Sequence, residues 1–420
     1  MKKTLALLAS IAMVASFAAC GAKAPVAAPG TPTTPAPAPT APVEEPAQGV
    51  FDDRIVVGNS AATSGAYAPV GVPFIAGIES YFAYINGQGG VDGRKIEFVH
   101  QDDEFDPVKG KAMLSTLVED EKIFALVGHF GTPVVGATIA DIKELGIPAV
   151  YFATGIGQLY NDKAEGSDRG IFPVQPIYKT EGQIMVARAV GDFEAKKLGV
   201  IYTNDDAGKD LYDGIKKKAE ELKVELVAEQ VTAGATDVSS AVTAIKNANV
   251  DFILGAAIQA TIPTIIKELA AQNVDKDLIT TYVNVSPVIA AAVVNEIAGK
   301  FDVYGLGWVS FEGERAKALE LFAKQTPEYA TNVYSMTGWI AGHFFVEGLK
   351  RVEGVVTWEK YMDAMEEAPI ANPFGGEINY AGGVRAGTQE MNLSKVSHDN
   401  KAGEWLPVDG LKSMDVLLGN

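Results

Sequence analysis

The chain has 420 residues, of which 47% are hydrophobic, and this is enough apolar material for two cores. Its formal net charge is −18. A strongly acidic surface repels nucleic acid, so we exclude nucleic acid as a partner. The single cysteine, Cys20, excludes disulfides and cysteine-ligated metal from the folded part of the chain.

Residues 1–19 have the composition of a secretory signal peptide. Lys2 and Lys3 precede an apolar run at 5–17, which is too short to remain in a bilayer as a permanent helix. The segment Phe17-Ala18-Ala19-Cys20 resembles a bacterial lipoprotein box, in which the cysteine becomes the lipidated N-terminus, although that box usually has leucine where Phe17 stands. We therefore expect a lipoprotein signal at 1–19 and a lipid on Cys20, with an ordinary signal peptide as the alternative.

Residues 20–51 are predicted to be a linker that begins at the lipidated cysteine. The stretch 22–49 contains eight of the 21 prolines, mixed with alanine and threonine. This composition favours extended polyproline geometry, which at roughly 3.1 Å per residue reaches on the order of 80 Å. Such a linker would hold a globular body away from a membrane surface.

From residue 52 onward, short β-branched segments alternate with segments of helical periodicity. The predicted strands are 55–57, 95–99, 124–127, 148–152, 198–202, 225–231, 252–254 and 279–283. The predicted helices are 72–85, 108–119, 136–145, 180–193, 208–222, 238–247, 262–272 and 287–298, followed by 315–324, 336–350 and 358–366. This alternation predicts an α/β fold with parallel, doubly wound sheets.

The pattern restarts after a loop rich in glycine and proline at 154–178, which favours two Rossmann-like lobes joined by a hinge. We predict that 52–173 and 308–385 form the first lobe, and that 174–307 and 386–420 form the second.

One glycine-rich segment carries a family resemblance. The sequence NGQGGVDGRKIE at 86–97 is followed by Asp102-Asp103 and Asp106-Pro107. This order resembles the signature of the type I periplasmic solute-binding proteins that feed ABC transporters, and more narrowly their leucine/isoleucine/valine-binding group. Further short segments fall in that family's order and spacing, namely 63–65, 127–129, 147–149 and 153–155. The resemblance covers essentially everything after residue 52.

The resemblance implies two lobes that are joined by three hinge crossings and close on a small molecule. The glycine run itself is interpreted as a tight turn that contacts no ligand. Asp102, Asp103 and Asp106 suggest a metal site at first sight, but acids before a helix that begins with proline are more often caps for helix amides. We therefore predict no metal and no cofactor.

The candidate ligand contacts of the first lobe follow the strands at 124–127 and 148–152. Thr132 and Pro133 open a helix, which places free amides and a hydroxyl where a carboxylate or carbonyl would be held. Carried over by position, the resemblance implies ligand contacts at Thr132, Ala153 and Thr154, and then at Gly155. For Thr132, helix capping alone is the alternative. Tyr67 and Phe130 are candidates for an apolar wall, and His129 for either a hydrogen-bond donor or a buried strand end.

The second lobe departs from the family's pattern. Ala207 stands where the family has an aromatic clamp, and Asn284 falls near the acid that amino-acid binders pair with the ligand ammonium. A neutral amide pairs only weakly with a cation. Asp205 and Asp206 are candidate replacements, with helix capping as their alternative, and Gln259 is a candidate contact after the strand at 252–254. A small apolar carboxylate or amide is therefore an alternative to an amino acid.

The catalytic motifs that we searched for are absent from the sequence: it has no G-x-S-x-G, no H-E-x-x-H and no P-loop. We therefore predict a binding protein rather than an enzyme. The function that we expect is capture of a small solute, most simply a branched-chain amino acid, by a monomeric, lipid-anchored extracytoplasmic protein that delivers it to ABC permease membrane subunits. A ligand-sensing subunit of a signalling receptor is the second hypothesis, and an enzyme on this fold is the third.

Overall fold

A computed structural model of the protein describes residues 44–399 and 403–419. The predictions for the signal peptide, for the lipid on Cys20 and for most of the linker lie outside these residues. Gln48 and Val50, which we predicted to lie in the linker, pack against the first lobe. The Gln48 amide donates to the carbonyls of Val118 and Ile123 at 3.1 Å, and Val50 is buried. The folded body therefore begins before residue 52.

The strands divide into two large sheets. In chain order they are β1 (Arg54–Ala61), β2 (Lys95–Asp102), β3 (Ala125–Phe130), β4 (Ala149–Ala153), β5 (Ile171–Phe172), β6 (Lys197–Thr203), β7 (Glu225–Val231), β8 (Phe252–Ala256), β9 (Leu278–Thr280), β10 (Val303–Gly307), β11 (Ile370–Ala371), β12 (Glu377–Ile378), β13 (Glu390–Val396) and β14 (Trp405–Ser413). Over the described residues, the first sheet has the order β2-β1-β3-β4-β5 and is parallel throughout.

The second sheet has the order β14-β13-β10-β9-β8-β6-β7 in the described part of the chain. Its strands from β7 to β10 are parallel, whereas β13 and β14 are antiparallel additions at one edge. The sequence analysis did not predict β10, β13 or β14. Alternation of apolar Met391 and Leu393 with polar residues is the pattern of a strand with one buried face, and both side chains are buried here.

Helices cover the faces of both sheets. They are α1 (Ala68–Gly87), α2 (Pro107–Ser115), α3 (Thr132–Leu145), α4 (Tyr178–Gly191), α5 (Asp206–Leu222), α6 (Ser239–Ala248), α7 (Ile262–Ala271), α8 (Pro287–Ile297), α9 (Arg315–Gln325), α10 (Val333–Leu349), α11 (Trp358–Glu367) and α12 (Met414–Leu418). The predicted capping role of Asp106 is confirmed, because its carboxylate accepts from the amides of Val108 and Lys109 at the start of α2.

Helix α1 packs directly against α10 in the core of the first lobe. A Cβ on Gly77 would lie 1.8 Å from the Ser335 carbonyl oxygen, and one on Gly338 would lie 1.9 Å from that of Phe74. Glycine at both positions allows the two backbones to touch. By length and composition the segment Gly65–Gly87 would also pass for a membrane span, but half of it is buried inside the fold, as expected for a core helix.

Three chain segments connect the two sheets and their helices. The first follows β5, the second follows β10, and the third precedes β13. The Thr388 amide donates to the Val174 carbonyl at 2.9 Å, and the Asn392 side-chain amide donates to the Val309 carbonyl at 2.7 Å. The first and third connections are therefore hydrogen-bonded to each other, and the second is hydrogen-bonded to β13, which is the arrangement expected of a hinge.

Candidate functional site

A small cavity lies between the two lobes, at the carboxyl ends of strands from both sheets. Strand order reverses between β1 and β3 in the first sheet and between β6 and β8 in the second. Loops that leave a parallel sheet at such reversals separate and form the crevice in which ligands bind. The cavity has a volume of about 70 Å³ and is lined by residues that follow β1, β3, β8 and β9, together with the start of α10.

The N-terminus of α3 forms one side of the cavity. Gly131 precedes the helix with φ of 90°, and a Cβ there would lie 2.5 Å from the Phe105 ring, so only glycine fits. Pro133 occupies the first turn, where the missing amide hydrogen costs nothing. The other first-turn amides have no partner within the helix and make this end a site for an anion.

Three hydroxyl groups lie beside this helix end. The Oγ1 atoms of Thr132 and Thr154 are 2.8 Å apart, and the Tyr178 hydroxyl is close enough to both threonines for them to influence its pKa. Burial raises the pKa of Tyr178 to about 12, so its hydroxyl keeps its proton at neutral pH. Because Tyr178 starts α4 of the second lobe, the hydroxyl cluster joins the two lobes at the cavity.

Aromatic side chains supply the apolar wall. The rings of Tyr67 and Phe105 stack with centroids 3.7 Å apart, and Phe105 meets the edge of Phe130 at 6.1 Å. Phe74 and Trp308 also line the cavity. Rings of this size bury large apolar areas, which favours a ligand with an apolar body.

A chain of hydrogen bonds runs from the second lobe through the hinge to the first. The Tyr282 hydroxyl donates to Gln175 Oε1 at 3.0 Å, and Gln175 Nε2 donates to the Tyr151 hydroxyl at 2.7 Å. Gln175 lies in the first hinge connection. Tyr151 has φ of 62°, an unfavourable backbone geometry for tyrosine that concentrates at functional sites.

Glu181 positions Tyr282 from behind the cavity wall. One carboxyl oxygen accepts the Tyr282 amide and the other accepts the Thr281 hydroxyl, both at 2.7 Å. Burial raises the pKa of Glu181 to about 8, so the carboxyl is largely protonated at neutral pH. It is therefore a poor counterion for a ligand ammonium.

The two lobes also touch beyond the cavity. The amide of Gly157, from the first lobe, donates to the carboxylate of Asp210 on α5. Asp210 is paired with Lys179 as well, at 3.3 Å. The structure therefore shows the lobes in a closed arrangement.

Part of the predicted set of site residues lines this cavity: Tyr67, Phe130, Thr132, Ala153 and Gln259. The Gln259 side-chain amide donates to the Val283 carbonyl at 2.9 Å. Thr154 and Gly155 stand just behind the lining. Thr154 supports Thr132, and the Gly155 carbonyl accepts the amide of Tyr178.

His129 is a correction to the sequence-based site. Its ring is buried on the far side of β3, where Nε2 lies 2.8 Å from the Thr138 hydroxyl and Nδ1 lies 3.5 Å from that of Ser60. Burial lowers the pKa of His129 to about 4, so the ring is neutral. Of the two roles predicted for it, the structure shows the buried strand end.

The acids and the amide of the second lobe also lie outside the lining. Asp205 caps α5 by accepting the Gly208 amide, and Asp206 is the first residue of that helix. The Asn284 side-chain amide donates to the Ala257 carbonyl and to the Thr280 hydroxyl, each at 2.8 Å. Asp205 therefore has the helix-capping role that was the alternative to ligand binding. Asn284 stabilises the loop after β9.

Several lining residues were missed by the sequence analysis: Val70, Phe74, Phe105, Gln175, Tyr178, Ile258, Tyr282, Val283, Val285, Trp308, Val333, Tyr334 and Thr337. Tyr282 was hidden inside a predicted strand at 279–283, whereas β9 ends at Thr280. Gln175 and Trp308 lie at hinge connections. Their position next to a predicted lobe boundary, together with their polar or aromatic character, was the sequence feature that could have identified them. Within the described residues, no group of three or more His, Cys, Asp or Glu side chains is arranged for a metal ion.

A family model described as periplasmic binding protein matches residues 54–403, which is most of the chain. The chain belongs to the periplasmic binding protein family. Its two-lobed α/β architecture is that of the type I class, and this is a family of extracytoplasmic solute-binding proteins rather than of enzymes.

Curated relatives carry names from the amino-acid-binding group. The chain is 25% identical over 336 residues to "Leu/Ile/Val-binding protein homolog 1" of Brucella abortus, which covers 78% of this chain and 86% of the relative. It is 26% identical over 220 residues to "Amino acid binding protein" of Pseudomonas aeruginosa. That match spans 52% of this chain and 58% of the relative's length.

Solved structures match over nearly the whole fold. A fatty acid ABC transporter substrate-binding protein from Thermomonospora curvata superimposes with a TM-score of 0.75 at 21% identity, covering 90% of this chain and 96% of that one. A solute-binding protein from R. palustris in complex with benzoate superimposes with a TM-score of 0.71 at 24% identity, covering 86% and 96%. At these sequence identities the structural similarity establishes a shared fold.

Proposed function

We propose that this periplasmic binding protein captures a small monocarboxylate with an apolar body by closing its two lobes around it. The observation that carries the proposal is the combination at one cavity of the α3 N-terminus and the Thr132 hydroxyl with a wall of aromatic rings. The amides and hydroxyls would hold the carboxylate, and the rings would hold the rest of the molecule.

Neutral donors are sufficient for a buried carboxylate at this position. Each first-turn amide and each hydroxyl offers a charge-assisted hydrogen bond, and the helix dipole adds a favourable field. Tyr178 contributes a third hydroxyl to the cluster of Thr132 and Thr154. Closure of the lobes would exclude water and strengthen each of these interactions.

The lining of the second lobe favours a plain carboxylate over an amino acid. The polar lining there consists of the Gln259 amide and the hydroxyls of Tyr178 and Tyr282, and Tyr334 adds a hydroxyl from α10 of the first lobe. One carboxyl behind the second-lobe wall, that of Glu181, is occupied by Thr281 and Tyr282 and has a raised pKa. The lining itself would offer an ammonium neutral acceptors in exchange for its hydration, which is costly.

A branched-chain amino acid is the second candidate, and the names of the Brucella relatives favour it. The ligands of structural neighbours divide between the candidates, since one neighbour is in complex with benzoate and another, a branched chain amino acid ABC transporter from Thermus thermophilus, has bound valine. Both candidates present a carboxylate to α3 and differ at the second lobe.

A matched pair of ligands tests the proposal. Leucine and 4-methylpentanoate have the same carbon skeleton and differ by the α-amino group alone. We expect calorimetric titration to give at least tenfold tighter binding of 4-methylpentanoate, with benzoate as a second positive probe. Tighter binding of leucine would contradict the proposal and favour the amino acid, and no binding of any of the three would reject both candidates.

We further propose that the closed protein delivers its solute to ABC permease subunits and is anchored to the membrane through a lipid on Cys20, with the sensing subunit of a signalling receptor as the alternative use. The family membership and the sequence 17–20 support this. Cys20→Ser should release the protein into the soluble fraction, as followed by immunoblot of washed membranes. Continued membrane association of that variant would contradict the lipid anchor.

A further inference from the structure

A large apolar groove lies next to the cleft cavity. Its volume is about 750 Å³, compared with about 70 Å³ for the cavity. Val285 of the second lobe and Val333 of the first lobe line both spaces. Since both side chains are apolar and half-buried, the cavity and the groove meet at an apolar boundary.

The groove is formed by elements of both lobes near the hinge. Its apolar lining comes from the connection after β10, from α9, from the start of α10 and from the edge strand β14, through the side chains Val309, Phe311, Leu319, Ala323, Met336 and Trp405. Phe311 is 43% exposed, which is unusual for a large aromatic side chain and marks apolar surface available for contact.

The charges of the groove are acidic. Among its described lining residues the ionisable side chains are Glu312, Glu404 and Asp409, and Asp409 is paired with Arg188 at 3.0 Å and with Lys412 at 2.7 Å. The described lining of the groove therefore has no cationic side chain to attract an anionic head group, which is favoured at the N-terminus of α3. An apolar chain has the opposite preference.

We propose that the ligand is an extended amphiphilic carboxylate, whose head group binds at Thr132 and the α3 N-terminus and whose chain passes between Val285 and Val333 into the groove. The occupant of the groove is thus the tail of the same molecule. This inference rests on the proposed function, because it takes from it the position of the carboxylate. What it adds is a second subsite, which would select for chain length.

A series of straight-chain carboxylates from pentanoate to dodecanoate, each kept below its micelle concentration, tests the second subsite. Each methylene that enters the groove should tighten binding about fourfold. We therefore expect dodecanoate to bind at least 50-fold more tightly than pentanoate in calorimetric titrations. Pentanoate should displace bound dodecanoate competitively, since both use the same head-group site.

A pair of variants locates the tail. Ala323→Phe adds a ring inside the groove, and Ala271→Phe adds the same ring at an exposed position at the end of α7 in the other lobe. Ala323→Phe should weaken dodecanoate binding at least tenfold and leave pentanoate binding within twofold. Ala271→Phe should change neither affinity, and thermal unfolding should show that both variants are folded.

The outcomes separate this inference from the proposed function. Failure of every carboxylate to bind would reject the carboxylate function itself. Binding of pentanoate with no gain for longer chains would overturn the second subsite alone. A gain with chain length that Ala323→Phe does not reduce, or dodecanoate that pentanoate does not displace, would place the tail elsewhere and overturn the inference as well.

Discussion

Thr132 is the side chain on which the carboxylate site depends most directly. Thr132→Val keeps the shape of the side chain but removes the hydroxyl that faces the cavity and contacts Thr154. Because a hydrogen bond to a charged group contributes about 1.5 to 3 kcal/mol, we expect binding of 4-methylpentanoate to weaken about 10- to 100-fold. Calorimetric titration measures this. Thr116→Val, at a half-buried position of the first lobe outside the cavity lining, is the matched control, and equal affinity of the two variants would remove Thr132 from the site.

Glu181 predicts a pH dependence of stability. Its pKa is about 8 in the folded protein and near 4.5 in an unfolded chain, so the folded state holds the proton more tightly. The free energy of unfolding should therefore fall as pH rises from about 4.5 to about 8, by at most about 1.4 kcal/mol per pH unit from this group. Glu181→Gln, which keeps an acceptor for Tyr282, should flatten that fall.

Urea unfolding at pH 5, 6.5 and 8 measures the effect. Glu220→Gln, an exposed glutamate on α5, is the control and should leave the pH dependence unchanged. If the Glu181→Gln curve ran parallel to that of the unaltered protein, Glu181 would not be the group responsible.

At the scale of elements, α3 is the part of the fold that the site needs in place. Gly131 and Gly146 flank this helix, and both have positive φ, of 90° and 69°. A Cβ on Gly131 would also meet the Phe105 ring, whereas one on Gly146 meets nothing within 4 Å. Gly146→Ala should cost about 1 kcal/mol of stability and leave affinity unchanged.

Gly131→Ala should cost about 2 kcal/mol or more and also weaken ligand binding, because the Phe105 ring and the first turn of α3 must move apart. Chemical unfolding and calorimetric titration of the two variants make the comparison. Equal stability losses with unchanged affinity in both would show that the contact with Phe105 does not position the helix.

The sequence was sufficient to predict the alternating strands and helices, because buried parallel strands are short apolar runs and their helices have apolar residues at spacings of three and four. The strand β7 was predicted at its observed residues, and β9 was not. The backbone leaves β9 after Thr280 because the carboxyl of Glu181, about a hundred residues earlier in the chain, binds the Tyr282 amide. No local pattern contains such a contact.

The same limit applies to the site. Tyr67 and Thr132 were accessible from the sequence because each comes within a few residues of a strand end, and the segments after parallel strands meet at the cleft. His129 was misleading because alternate residues of a strand face opposite sides of the sheet, and its side faces Thr138. Phe105, in the loop before α2, and Tyr334, on α10, also line the cavity. Their positions there are determined by the packing of the whole lobe.

At the scale of the whole molecule, affinity should depend on the contact that joins the lobes outside the cavity. Asp210→Ala removes the acceptor of the Gly157 amide and the partner of Lys179. We expect ligand affinity to fall about two- to tenfold, because one interlobe hydrogen bond contributes about 0.5 to 1.5 kcal/mol to closure. Asp213→Ala removes only the exposed pair with Lys179 and should stay within twofold. Equal losses of affinity in the two variants would show that the hydrogen bond between Gly157 and Asp210 does not stabilise the closed arrangement.

The distance between the lobes, measured with and without ligand, tests most directly whether they close on a solute. Leu145 and Leu222 are exposed at the ends of α3 and α5, one on each lobe. Spin labels at Leu145→Cys and Leu222→Cys, in a Cys20→Ser background, report this distance by double electron–electron resonance. We predict that saturating 4-methylpentanoate converts a broad or longer distribution into one narrow distance that matches the closed arrangement. An identical distribution in the two samples, with calorimetry showing the ligand bound, would contradict closure on the solute.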